Sequence, residues 1–66
     1  MQVQVNGESR EVPSAVPLEG LLDMLQLKKD RVAVELNRKI VRREFWAQTV
    51  LQENDRLEIV HFVGGG

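Results

Sequence analysis

The chain of 66 residues is 42% hydrophobic and 29% charged, with a net charge of −1 and no cysteine. That length allows one domain with a modest core, burying about 60% of the surface its unfolded form exposes, and leaves no room for a deep, enclosed active site. The charge balance argues against a general nucleic-acid binder, and the lack of cysteine excludes a disulfide framework and a thiolate zinc site.

Met1-Gln2-Val3-Gln4-Val5 alternates apolar and polar, which predicts a strand with one buried face. No charged leader or long apolar run accompanies it, so neither a signal peptide nor a membrane span is expected, and the protein is placed in the cytoplasm. Asn6-Gly7 follows, the pair favoured in a type I′ turn because both central residues need positive φ. Residues 8 to 12 read as the return strand, with Glu8, Arg10 and Glu11 suited to an exposed edge.

Ser14 is the expected helix cap and Pro17 suits a first helical turn, while Leu18, Leu21, Leu22 and Leu25 form one apolar stripe at i, i+3, i+4 and i+7. Gly20 inside that stripe weakens the helix by roughly 1 kcal/mol relative to Ala, so packing must hold it in place. Val32, Val34 and Leu36 alternate as a third strand, and Asn37-Arg38 turns the chain into a short strand around Ile40-Val41. Residues 42 to 50 lack a clean period and predict a turn or short helical piece around Trp46. Asn54-Asp55 is a turn pair, since Asn tolerates the left-handed region. Arg56 to Val63 is the last strand, with Leu57 and Ile59 inward, and its apolar character places it mid-sheet beside the first strand. The expected class is α+β: one helix across a small mixed sheet in the β-grasp arrangement.

Little here suggests an enzyme. Ser9, Ser14 and Thr49 lie at predicted edges or turns, and His61 has no acid partner nearby in sequence. Glu35, Glu53, Asp55 and Glu58 are spaced as solvent-facing residues, and a single histidine argues against a mixed His-carboxylate metal site. The basic run Arg38-Lys39 and Arg42-Arg43 beside Trp46 is the one nucleic-acid feature, but a single ring is thin support for a stacking platform. Trp46 reads better as a core plug.

The end of the chain is more informative. Val60 and Phe62 alternate with Leu57 and Ile59, so they face the other side of the sheet, where exposed apolar residues mark a docking surface. Gly64, Gly65 and Gly66 follow. Extended, they project a carboxylate by roughly 10 Å at about 3.3 to 3.6 Å per residue, and without Cβ atoms they can thread a slot closed to other residues. A free carboxylate is a poor electrophile, so chemical use of such a tail requires activation by another protein, typically as an acyl-adenylate. Sulfur attack would then leave a thiocarboxylate, and amine attack would attach the chain to a target. A frayed glycine end on a plain binding module is the alternative.

The run VAVELNRKIVRREFWAQTVLQENDRLEIVHFVGGG, with MQVQVNGE and LEGLLDML before it, resembles the ThiS family, the sulfur carriers of thiamine biosynthesis, over essentially the whole chain. Its most specific parts are Asn37 to Trp46, Asp55 to Ile59 and the glycine end. The resemblance implies a ubiquitin-like β-grasp domain over residues 1–63 and a flexible tail over 64–66. It implies further that Gly66 is adenylated by a ubiquitin-activating-like adenylyltransferase and converted to a thiocarboxylate. The sulfur would originate from cysteine through a cysteine desulfurase, and thiazole synthase would take it into the thiazole ring. By the same resemblance the chain is a carrier acted on by an enzyme, with no cofactor of its own, since ATP is used by the partner. Gly65 carries over as the second member of the terminal pair, and Gly64 makes it a triplet. Asn54 stands where relatives often have glycine, and Arg42 where proline is common. A carrier for another pathway, such as molybdopterin, or a protein modifier would share the tail chemistry.

Overall fold

The structure is a computed structural model and describes residues 1–62. The expected elements follow one another as β1 (Gln2–Val5), β2 (Glu8–Glu11), α1 (Leu18–Met24), β3 (Val32–Leu36), β4 (Lys39–Val41) and β5 (Arg56–His61), with 3₁₀ turns at Lys29–Arg31 and Arg43–Phe45. The strand order is β2-β1-β5-β3-β4, and β5 runs parallel to β1 and antiparallel to β3. The central place predicted for the last strand is therefore correct. Helix α1 buries Leu18, Leu21 and Leu22 against the sheet, while Leu25, the last residue of the stripe, is the half-buried C-cap.

Two turns set the registers of the outer hairpins. Asn6 and Gly7 both have positive φ (50° and 83°), as do Asn37 and Arg38 (50° and 72°), and two such residues produce the turn twist that matches paired strands. Met1 and Val12 then exchange backbone hydrogen bonds of 2.8 Å, which carries the β1–β2 pairing one step past the named strands.

Each turn asparagine also holds β5. The Asn6 carboxamide accepts from Ile59 N (2.7 Å) and donates to Ile59 O (3.2 Å), imitating a peptide group where β1 has ended. Asn37 Oδ1 accepts from Arg56 N (3.0 Å), its Nδ2 donates to Asp55 Oδ1 (3.0 Å), and its backbone N donates to Arg56 O (2.7 Å). The central strand is thus clamped from both hairpins by side chains whose first role is to turn the chain.

The helix ends differ from expectation. Ser14 does not cap α1. Pro17 occupies the cap without a side-chain hydrogen bond, and the free N–H groups of Leu18 and Glu19 donate instead to the carbonyls of Thr49 (2.7 Å) and Trp46 (3.1 Å). Backbone from residues 46–49 substitutes for the cap, because the first-turn donors need an acceptor of some kind. At the other end, Gln26 N donates to Asp23 O and Leu27 N to Leu22 O, the Schellman pairing, with Gln26 at φ 59° where glycine is usual. Gly20 also has a packing reason: a Cβ there would lie 3.0 Å from Val16 Cγ2. Lys29 Nζ sits 2.9 Å from Asp23 Oδ1 and 3.7 Å from Glu19 Oε2, and the Asp23 hydrogen bond holds its ammonium pKa above the usual lysine range.

Trp46 is the predicted plug. It is 2% exposed, and its indole N–H donates to Val41 O at 2.8 Å. Asn54 adopts φ 70°, the left-handed backbone that asparagine tolerates in a turn. The strand expected through Val63 is described to His61, and Val63 lies outside the described residues.

Candidate functional site

The site is built around the end of β5. Leu57 and Ile59 point into the core, so Glu58 between them and Val60 after them face away from the helix. Val60 is 59% exposed and Phe62 54%, as the alternation predicts. Phe62 N donates to Arg31 O at 2.8 Å and His61 pairs with Val32, so the chain is still anchored to the β3 side where the described residues end. Gly64, Gly65 and Gly66, the residues singled out for tail chemistry, lie outside the described residues.

The registers show neighbours that strand-by-strand reading missed. Val60 lies opposite Ala33, Glu58 opposite Glu35, and Glu35 opposite Ile40 on β4. Ile40 is 74% exposed. The outer face of β5, β3 and β4 therefore presents an apolar pair beside two facing carboxylates, with another apolar residue at the far end. The length of the Asn37-Arg38 turn was the available signal: two turn residues fix Leu36 opposite Lys39, and so Glu35 opposite Ile40. The Glu35–Glu58 contact joins strands far apart in sequence and had no such signal.

The other candidates are not brought together. Ser9 and Ser14 are exposed, and Thr49 Oγ1 donates to Phe45 O at 2.7 Å. His61 borders a hollow lined by Val5, Asn6, Arg10, Leu25, Leu27 and Ile59, none of them a carboxylate. Glu53 accepts from Gln2 N and Asp55 from Gln52 N, so both serve the turn that leads into β5. No group of His, Cys, Asp or Glu suited to a metal ion occurs among the described residues. Arg38, Lys39, Arg42 and Arg43 are exposed, but burial of Trp46 removes the ring that a nucleic-acid platform would need. No helix among the described residues is long and apolar enough to cross a membrane.

The sequence profile of the ThiS family matches residues 3–66. The chain belongs to the ThiS family. The crystal structure of thiamine biosynthesis protein ThiS from Geobacter metallireducens superimposes on this ThiS-family chain with a TM-score of 0.87 at 32% identity, covering all of both chains. The mixed sheet and single helix are thus the β-grasp fold expected. The sulfur carrier protein ThiS of Escherichia coli (strain K12) is 29% identical over 66 residues, the full length of both. A thiazole synthase of Magnetococcus marinus is 44% identical over all 66 residues, and this ThiS-family chain spans 20% of that protein's length.

Proposed function

We propose that this chain carries sulfur for thiamine biosynthesis on its C-terminal carboxylate, as a substrate of other enzymes and with no cofactor of its own. The observation that carries the reading is that the ThiS match runs through residue 66, so the glycine end belongs to what the chain shares with its family. Further support comes from β5, a clamped strand that leads toward that end past exposed Val60 and Phe62. The thiazole synthase in which a ThiS-like segment forms a fifth of the chain supports thiazole synthase as the recipient of the sulfur. The setting is the cytoplasm.

In the proposed sequence an adenylyltransferase related to ubiquitin-activating enzymes binds the face around Val60 and Phe62. The Gly66 carboxylate attacks the α-phosphorus of ATP, giving an acyl-adenylate and releasing pyrophosphate. A persulfide formed from cysteine by a desulfurase attacks the acyl carbon and expels AMP. A thiol then cleaves the acyl disulfide, leaving the thiocarboxylate and a new disulfide. Gly64 and Gly65 pass through the partner's channel because they have no Cβ to exclude them.

The test is ATP–pyrophosphate exchange with that adenylyltransferase, together with the intact mass of the protein isolated from cells starved of thiamine. The mass should rise by the difference between sulfur and oxygen, and deletion of Gly66 should abolish exchange while circular dichroism stays unchanged. Phe62→Asp should weaken binding without unfolding the domain. Undiminished exchange after deletion of Gly66 would refute the carrier reading.

A further inference from the structure

β4 is an outer strand of the sheet, and its free edge is open to the addition of another strand. The two-residue turn Asn37-Arg38 makes Leu36 and Lys39 a hydrogen-bonded pair, so the next pair, Glu35 and Ile40, is not bonded. The far side of β3 agrees: Asn37 N donates to Arg56 O, so by alternation the backbone groups of Glu35 also point to β5. The N–H and C=O of Ile40 therefore point outward, away from β3. The chain stays extended through Arg42 (φ −69°, ψ 146°), whose N–H points the same way while its carbonyl accepts from Phe45 N at 2.9 Å. The side chains suit that opening. Ile40 is 74% exposed, the most exposed large apolar residue among those described, and it shares with Glu35 the face turned away from the helix. Arg42, two residues on, lies on the same face by alternation, Arg38 precedes Ile40 by two, and Lys39 and Arg43 complete an exposed basic group. The other outer strand, β2, has no apolar residue in Glu8–Glu11. Charge on an edge strand normally guards it against further pairing. Here the guard depends on sign: two copies joined about Ile40 would set Arg38 against Arg42 twice, whereas an acidic strand is attracted at both positions.

We propose that β4 is a strand-addition site for an extended acidic segment of a partner protein, in which an apolar residue packs on Ile40 and carboxylates two positions to either side reach Arg38 and Arg42. Hydrogen bonds exchanged with the Ile40 backbone and accepted from the Arg42 N–H fix the segment, and its alternate side chains select it. The Arg42–Glu44 contact, 3.6 Å long with both side chains largely exposed, is too solvated to hold the arginine against a bound carboxylate. β3 separates this edge from β5, so the site does not depend on the tail chemistry and leaves Val60 and Phe62 uncovered.

The experiment is an NMR titration of the isotope-labelled whole chain with the blocked peptide Ser-Asp-Thr-Val-Thr-Asp-Ser. The expected result is saturable shifts of the Ile40 and Arg42 amides, protection of the Ile40 amide from hydrogen exchange, and contact between the peptide valine and the Ile40 side chain. Methylation of the valine nitrogen removes a hydrogen bond but no charge, and should weaken binding by about tenfold. Ile40→Ser and Arg42→Gln should each do the same with circular dichroism unchanged, since both side chains are exposed. Replacing both peptide aspartates by lysine should abolish binding. Equal affinity of the methylated peptide, or shifts without protection of Ile40, would reduce the site to charge attraction and overturn the proposal. So would binding of the lysine peptide, shifts centred on Val60 and Phe62, self-association of the free chain through β4, or the absence of saturable shifts at millimolar peptide.

Discussion

Replacing Asn6 tests whether a turn side chain holds the strand on which the functional face is built. Asn6→Ala removes the two hydrogen bonds to the Ile59 backbone and leaves a residue with a Cβ at φ 50°. At about 0.5–1.5 kcal/mol net for each bond and roughly 1 kcal/mol for the left-handed backbone, the expected loss is about 2–4 kcal/mol. A 66-residue domain has only about 3–10 kcal/mol in total at roughly 0.05–0.15 kcal/mol per residue, so the alanine variant should be close to unfolding. Asn6→Gly separates the two effects, since glycine accepts the backbone and loses only the clamp. Its loss should be about 1–3 kcal/mol, which moves the urea midpoint down by about 1–3 M at a slope near 1 kcal/mol/M. The assay is urea unfolding followed by circular dichroism, with hydrogen exchange read at the Ile59 amide. That amide should lose protection more than its neighbours in β3. A midpoint for Asn6→Gly within about 0.3 M of the parent, with Ile59 still protected, would refute the clamp.

Two further outcomes follow from packing. Trp46→Phe leaves the Val41 carbonyl without its indole donor and a void in the buried core, so thermal unfolding should report a loss of about 2–3 kcal/mol. Gly20→Ala should gain less than half of the roughly 1 kcal/mol that helix propensity offers, because the added methyl group meets Val16 at 3.0 Å. A full gain in chemical denaturation would show that Val16 yields freely.

The parts of this protein that its sequence determined are those governed by contacts within a few residues. Alternation in Gln2–Val5 and Val32–Leu36 set which side chains are buried, Asn6-Gly7 and Asn37-Arg38 set the turns and the registers of their own hairpins, and Leu18, Leu21 and Leu22 set the helix face. Val60 and Phe62 were legible as exposed for the same reason, since a strand's period of two needs no partner to be read. The profile match over residues 3–66, which includes the glycine end, identified the family.

What only the tertiary structure decided depends on groups brought together across long stretches of chain. The helix has the carbonyls of Trp46 and Thr49 at its start in place of Ser14, because an unsatisfied N–H accepts any well-placed oxygen and sequence proximity gives no advantage once the core has formed. Asn6 and Asn37 are turn formers by sequence, but their second role requires β5 to lie beside both hairpins. Glu35 and Glu58 looked like two ordinary surface charges 23 positions apart. Pairing of β3 with β5 placed them face to face, and that juxtaposition, absent from either strand alone, gives the surface its character.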